Sequence, residues 1–85
     1  MKYVLVAVFD SAVGTYMPPF AQRSIGEALR SFQVACRDDK TAMAQHPSDY
    51  ALYLLAEFDD ESGVVDELAI PPRLLMRAAE AAQAH

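Results

Sequence analysis

The sequence predicts an α+β protein, a small single domain with the element order β-α-β-β-α, in which one or two helices pack on a three-stranded sheet. Three features of the 85-residue chain lead to this prediction. Residues 2–9, KYVLVAVF, are rich in β-branched and aromatic side chains. Residues 24–37 carry an apolar stripe at helical spacing. Residues 49–58 and 64–68 are β-prone segments on either side of an acidic turn that contains glycine.

The first strand is expected at the centre of the sheet. Its run of apolar residues is nearly continuous, which is typical of a strand buried on both faces. Residues 10–22 are then expected to form a structured loop, because Gly14 supplies turn chemistry and Pro18-Pro19 prevent a helix or a strand ladder from continuing.

The centre of this loop, YMPPF at residues 16–20, is unusually apolar for a surface connection. A loop of this kind either fills a core or presents a surface to a partner. The prolines fix its shape. We expect Phe20 to anchor the loop near the start of the following helix, and Tyr16 and Met17 to be displayed.

The predicted helix begins at Ser24 and ends near residue 37. Ser24 and Glu27 have the spacing of a capping box, in which the serine hydroxyl accepts from the backbone N–H three residues later. Its apolar stripe includes Cys36, the chain's one cysteine. Because of that position, we expect a buried, unreactive thiol.

The second half of the chain is expected to contain a hairpin and a final helix. Residues 38–48 are a connection, and residues 59–63, DDESG, form the turn between the second and third strands. Pro71-Pro72 suit the first turn of a helix, so a C-terminal helix is predicted over residues 70–85.

The cysteine count, the N-terminal segment and the net charge restrict the class of protein. With one cysteine the chain forms no internal disulfide, which fits a reducing compartment. The N-terminal apolar run is too short for a signal peptide or a membrane span, so a cytosolic protein is expected. The net charge is −5, and residues 56–85 carry the whole excess, with seven acids against two arginines.

No catalytic or metal-binding motif is apparent. The acids of residues 57–62, EFDDES, do not match a calcium loop and read as a solvated surface. His46 and His85 with a single cysteine cannot complete a structural zinc site. Glycine-rich phosphate loops and nucleophile motifs are missing. We therefore expect that the protein is not an enzyme and that it uses no cofactor or metal.

A binding surface remains as the best candidate site. Basic groups interleaved with aromatic rings suit single-stranded nucleic acid, with cations on the phosphates and rings against the bases. The candidate residues are Tyr16, Phe20, Arg23, Arg30, Arg37, Lys40, Tyr50 and Tyr53. The alternative is structural: amphipathic helices routinely carry surface arginines, and the rings can belong to the core.

Five short motifs in order give the chain a resemblance to a known family. They are FDS at 9–11, MPPF at 17–20, EALRSF at 27–32, HPSDY at 46–50 and EFDDESG at 57–63. This set is similar to that of the small non-structural proteins of gokushovirus-type microviruses, which are bacteriophages with single-stranded DNA genomes. The resemblance covers residues 3–63.

The resemblance implies DNA binding and a role in genome replication or in the switch to single-stranded genome synthesis. The motif positions it places at DNA are Tyr16, Pro18, Pro19, Phe20 and Arg30, with His46 and Tyr50 as further candidates. Relatives often have a lysine soon after the DS pair. This chain has Ala12-Val13 there, which removes a positive charge from the loop.

Two hypotheses follow. In the first, the protein is a non-catalytic phage accessory protein that acts in the host cytoplasm as a homo-oligomer, most simply a dimer, and binds single-stranded DNA. In the second, it is an interaction module that recruits a host replication protein or a viral capsid protein without touching DNA. The acidic segment 57–67 would then steer a basic partner.

Overall fold

The computed structural model describes residues 1–83, and this part of the chain is mostly β, with a six-stranded antiparallel sheet and three short helices. In chain order the elements are β1 (Lys2–Asp10), β2 (Thr15–Tyr16), β3 (Phe20–Gln22), α1 (Ile25–Arg37), α2 (Ala42–Gln45), β4 (Tyr50–Asp59), β5 (Val65–Asp66), β6 (Arg73–Arg77) and α3 (Ala78–Gln83).

Two long strands, β1 and β4, pair along their whole length at the centre of the sheet. The outer edge of β1 pairs first with β2 and then with β3, and the outer edge of β4 pairs with β5 and β6. The register shifts once between the central strands. Leu5 lies opposite Ala56 and Val6 opposite Leu54, so Leu55 is an extra residue that bulges from β4.

One face of the sheet carries the helices, and the core lies between them. Because side chains alternate along a strand, Val6 and Val8 of β1 point to the same face as Leu52 of β4. They pack against apolar residues of α1 and α3, and this core contains Ala28, Phe32, Cys36, Ala78 and Ala81. Cys36 is buried, as predicted, and burial raises the pKa of its thiol.

The predicted helix over 24–37 is confirmed as α1. Ser24 is its N-cap, with extended backbone, and its Oγ accepts a hydrogen bond of 3.1 Å from the backbone N–H of Glu27. This bond satisfies one of the N–H groups that a helix leaves without an internal partner in its first turn. The carboxylate of Glu27 also lies near the positive end of the helix dipole.

Ser24→Ala is expected to lower the free energy of unfolding by about 1 kcal/mol, because it removes the acceptor from the N-cap. Urea denaturation followed by circular dichroism measures the change. Ser24→Asp restores an acceptor at the same position and should retain most of the stability. An equal loss in both variants would contradict the capping role.

The predicted three-stranded sheet in β-α-β-β-α order is wrong. Part of the difference lies in residues 10–22, which were expected to be a loop and instead contain β2 and β3. The turn itself is present, with Gly14 at a φ of 81° and its N–H donating to Asp10 O. The chain then pairs with the outer edge of β1, whose backbone groups would otherwise lack partners in the sheet.

The prediction of a helix over residues 70–85 is also wrong for most of its length. Residues 73–77 form β6, and α3 covers only Ala78–Gln83; residues 84–85 lie outside the described part of the chain. The register with β4 shifts around Leu75, so Leu74 lies opposite Tyr53 and Met76 opposite Leu52. Because of this bulge, Leu75 and Met76 both pack against the core although they are adjacent in the sequence. Two adjacent apolar residues on one side are typical of a helical stripe.

Candidate nucleic-acid interface

The second face of the sheet carries none of the three described helices. Its central residues alternate with those of the core. They are Tyr3, Leu5, Ala7 and Phe9 of β1, and Ala51, Tyr53, Ala56 and Phe58 of β4. We call this surface the open face. Alanines are buried between larger aromatic side chains, so the open face is apolar and presents rings.

Three rings lie in contact at one end of the open face and form what we call the aromatic cluster. Tyr16 of β2 lies opposite Phe9 of β1, and their ring centroids are 4.8 Å apart. Tyr53 of β4 approaches both, with its centroid 5.6 Å from that of Tyr16 and 6.1 Å from that of Phe9. The rings are tilted or edge-to-face, which is the arrangement that aromatic pairs prefer. Tyr16 remains 43% exposed.

A cleft of about 470 Å³ borders the aromatic cluster. Phe9 and Tyr53 line it, together with Ser11, Asp49 and Arg77. This volume is in the range of sites that hold small organic molecules. Arg77 lies opposite Ala51 at the end of β6 and is exposed. Among residues 1–83 the ion pairs are those of Met1 and Lys2, so the guanidinium of Arg77 is not engaged in one.

Backbone contacts fix the wall of this cleft. The N–H and hydroxyl groups of Ser11 both donate to the carbonyl oxygen of Asp49, at 2.8 and 3.0 Å. They tie the end of β1 to the start of β4. Tyr50 follows directly but lies opposite Asp10, so its ring packs against the core side of the sheet. Burial raises the pKa of the Tyr50 hydroxyl, and the nearby carboxylates of Asp10 and Asp49 raise it further.

The structure divides the aromatic candidate residues between the two sides of the sheet. Tyr16 and Tyr53 meet in the aromatic cluster. Phe20 lies opposite Val6 and therefore points to the helix side. Tyr50 contacts the core on that side and also lines the cleft. Tyr16 and Phe20 are thus neighbours in the sequence whose rings lie on opposite faces.

The basic candidates lie on α1 or next to it in the chain. Arg30 and Arg37 are exposed on α1, Arg23 precedes this helix and Lys40 follows it. The Nε of Arg37 donates to the carbonyl oxygen of Ala81 at 3.4 Å, which connects α1 to α3. Arg30 and Arg37 are therefore not on the same face as Tyr16 and Tyr53.

The loop that contains YMPPF forms the wall of a second concavity, which we call the apolar groove. Its volume is about 230 Å³. Its lining is Val8, Met17, Pro18, Phe20, Ser31, Phe32, Ala35 and Met43. The backbone N–H of Met17 donates to Val8 O at 2.8 Å, which holds the chain against β1 as it crosses from the open face to the helix side. Phe20 and Met17 thus meet in one groove, and Phe20 is 38% exposed.

The remaining motif positions lie outside the aromatic cluster. Pro19 is exposed between β2 and β3, and His46 is the exposed C-cap of α2. The acids of the β4–β5 turn lie around the N-terminal amine, which donates to Asp60 Oδ1 at 2.7 Å and has its pKa raised mainly by that bond. The N–H of Glu61 donates to Asp59 and lowers the pKa of the Asp59 carboxyl.

Phe9 and Arg77 belong to this site but were not among the residues predicted. Phe9 was assigned to a strand buried on both faces. Side chains alternate between the two faces of the sheet along β1, so this alternation would have placed Phe9 on the face opposite to Val6 and Val8. Arg77 was assigned to a helix, and no local signal in the sequence distinguishes that helix from β6.

No group of three or more histidines, cysteines or acids within residues 1–83 is placed to hold a metal ion. None of the helices there is both long and apolar enough to cross a membrane.

The fold and this site define a small, mostly β protein with one helix-covered face and one open aromatic face. The chain belongs to the phage ORF5 protein family, whose model matches residues 3–81. It is therefore a member of a bacteriophage protein family. Comparison with curated proteins and with solved structures gave no match.

Proposed function

We propose that this phage protein is a non-catalytic accessory protein that binds single-stranded DNA on the open face, in the host cytoplasm. It would act during genome replication or in the switch to single-stranded genome synthesis. The observation that carries this proposal is the aromatic cluster of Phe9, Tyr16 and Tyr53 beside a cleft lined by Arg77. Rings that stack on bases next to a cation that meets a phosphate are the components of a site for single strands.

The charge distribution favours a single strand over a duplex. Binding to duplex DNA without sequence preference depends mainly on cations that neutralise phosphates, and a chain of net charge −5 is poorly suited to it. Base stacking does not require net positive charge. It does require exposed base faces, which a single strand offers and a duplex hides.

Two of the segments that carry the resemblance to microvirus proteins meet at this cleft. FDS, residues 9–11, contributes Phe9 and Ser11, and HPSDY, residues 46–50, contributes Pro47 through Tyr50. They are distant in the sequence and are joined by the bonds from Ser11 to Asp49. The resemblance to proteins of single-stranded DNA phages therefore supports the same location for the proposed site.

Fluorescence anisotropy of labelled single-stranded and duplex oligonucleotides, at two salt concentrations, tests the proposal. We expect salt-sensitive binding with micromolar or tighter affinity that prefers the single strand. Absence of binding to both forms at low salt would overturn it.

Arg77→Ala is expected to weaken single-strand binding uniformly across sequences and to reduce the salt slope by about 0.7, the value for one phosphate contact on a single strand. The matched control is Arg30→Ala, which removes an exposed arginine from the helix side. Anisotropy titrations over several salt concentrations give both slopes. A loss in Arg30→Ala with none in Arg77→Ala would instead place the nucleic acid against α1, as the sequence pattern suggested.

The second candidate is the interaction module for a host replication protein or a capsid protein, without DNA contact. The apolar groove favours it, because apolar concavities at the surface are typical of protein contacts. A pull-down from infected cells that recovers one such protein after nuclease treatment, combined with no binding in the anisotropy experiment, would support this candidate.

A further inference from the structure

Asp49 is the acidic residue of the cleft beside the aromatic cluster, and it is half-buried there. Its backbone N–H donates to His46 O at 3.0 Å, and its carbonyl oxygen accepts the two bonds from Ser11. None of the side-chain hydrogen bonds and ion pairs within residues 1–83 involves its carboxylate. The residue is therefore held in place by its backbone, and its carboxylate is available to accept hydrogen bonds from a ligand.

The pairing of the strands places Asp49 on the open face. The bond from the Ser11 N–H to Asp49 O continues the pairing of β1 with β4 beyond the ends of both strands. Because side chains alternate, Asp49 is on the same face as Ala51. Burial and the charge of Asp10 raise the pKa of the Tyr50 hydroxyl, and the charge of Asp49 raises it further. Since Tyr50 also lines the cleft, the carboxylate of Asp49 lies close to it.

Arg77 supplies the opposite charge in the same cleft. It lies opposite Ala51 on the neighbouring strand, two residues beyond Asp49 along the chain of β4. At ordinary strand spacings the backbones of Asp49 and Arg77 are about 8 Å apart. A guanidinium attracts a phosphate, whereas a carboxylate repels it. A nucleotide in the cleft therefore has its phosphate at Arg77 and its base directed to Asp49.

A carboxylate discriminates among bases because it only accepts hydrogen bonds. Guanine presents two adjacent donors on its Watson–Crick edge, N1–H and the 2-amino group, and the two carboxylate oxygens can accept from both. Adenine and cytosine present one amino group beside an acceptor nitrogen, and thymine presents one N–H between two carbonyl oxygens. In these three bases an acceptor faces the negative charge, which is unfavourable. Guanine is the base that fits this group.

We propose that the cleft holds one base of the bound strand and that the carboxylate of Asp49 selects guanine, by accepting hydrogen bonds from N1–H and the 2-amino group. This inference rests on the proposed binding of single-stranded DNA and adds a base preference to it. Phe9 and Tyr53 contact the face of the base and Arg77 meets the phosphate, and these contacts are the same for every base. Asp49 is thus the residue that determines specificity.

Fluorescence anisotropy with a set of matched single strands tests the preference. The strands are thymidine-rich, about a dozen nucleotides long, and carry guanine, adenine or hypoxanthine at every third position. We expect the wild type to bind the guanine strand about 5- to 150-fold more tightly than the adenine strand, as for one bidentate contact. Hypoxanthine is guanine without the 2-amino group, so its strand should bind with intermediate affinity. Both guanine and adenine are purines, so stacking alone predicts nearly equal affinities.

Asp49→Asn replaces one of the two acceptor oxygens by a donor, and it should bind the guanine and adenine strands within about twofold of each other. The matched control is Asp39→Asn, which removes the same charge at an exposed position between α1 and α2 and should keep the preference. Circular dichroism verifies that both variants are folded. Equal affinity of the wild type for all strands overturns the base preference and leaves the proposed DNA binding intact, whereas no binding to any strand overturns both. A guanine preference that persists in Asp49→Asn overturns the role of this carboxylate.

Discussion

Replacing Leu52 by alanine is expected to lower the free energy of unfolding by about 2–5 kcal/mol. Leu52 is fully buried at the centre of β4 and is the largest of the completely buried side chains in the described chain. It packs against the core residues of α1 and α3. Its truncation lowers stability in two ways, because the removed atoms are no longer buried and because a cavity remains that the neighbouring side chains do not fill. The rigid sheet on one side restricts relaxation.

The size of the protein makes this loss severe. A single domain is stable by about 5–15 kcal/mol, and a chain of 85 residues buries a smaller share of its surface than a larger domain does. Leu52→Ala therefore removes a large fraction of the total. Urea denaturation measures the change, and Val34→Ala, at an exposed position of α1, should stay within about 0.5 kcal/mol of the wild type. Equal effects of the two substitutions would contradict the location of the core.

The elements that could be predicted from the sequence are those whose signal is local and long. The helix α1 has a capping serine and an apolar stripe, and β1 has a nearly continuous run of β-prone residues. The turn between β4 and β5 contains acids and Gly63, whose φ of 74° is easily adopted by glycine. Each of these features is visible within one window of sequence.

The edge strands β2, β3 and β6 could not be predicted in the same way. They are two, three and five residues long, and they exist because the outer edges of β1 and β4 offer unpaired backbone groups. Such a strand is specified by its partner and only weakly by its own residues. The bulge at Leu75 also disrupts the alternation by which β6 could have been recognised.

The same limit applies to the candidate site. Tyr16 and Tyr53 were both named from the sequence, and they meet in the structure. Phe20 and the arginines were placed with them because they are close in the sequence. The face of a sheet to which a residue points depends on strand register. Since β2 and β3 were not predicted as strands, their register with β1 could not be predicted either. The division of the candidates between two faces is therefore a property of the tertiary structure.

That division provides a test of the proposed function with a closely matched control. Tyr16→Ala is expected to weaken single-strand binding about 5- to 150-fold, because stacking of one base on a ring contributes about 1–3 kcal/mol. Phe20→Ala removes a ring of similar exposure only four positions away, and its affinity should stay within about twofold of the wild type. Fluorescence anisotropy with a labelled single-stranded oligonucleotide measures both.

The comparison of these two variants decides which face holds the nucleic acid. If Phe20→Ala weakens binding and Tyr16→Ala does not, the strand lies on the helix side, where Arg30 and Arg37 are exposed, and the open face is not the binding site. If both variants lose affinity while Arg77→Ala does not, the shape of the YMPPF loop matters more than either ring. If Tyr16→Ala and Tyr53→Ala lose affinity equally and Phe20→Ala does not, the strand lies on the aromatic cluster, because the rings of Tyr16 and Tyr53 are in contact there.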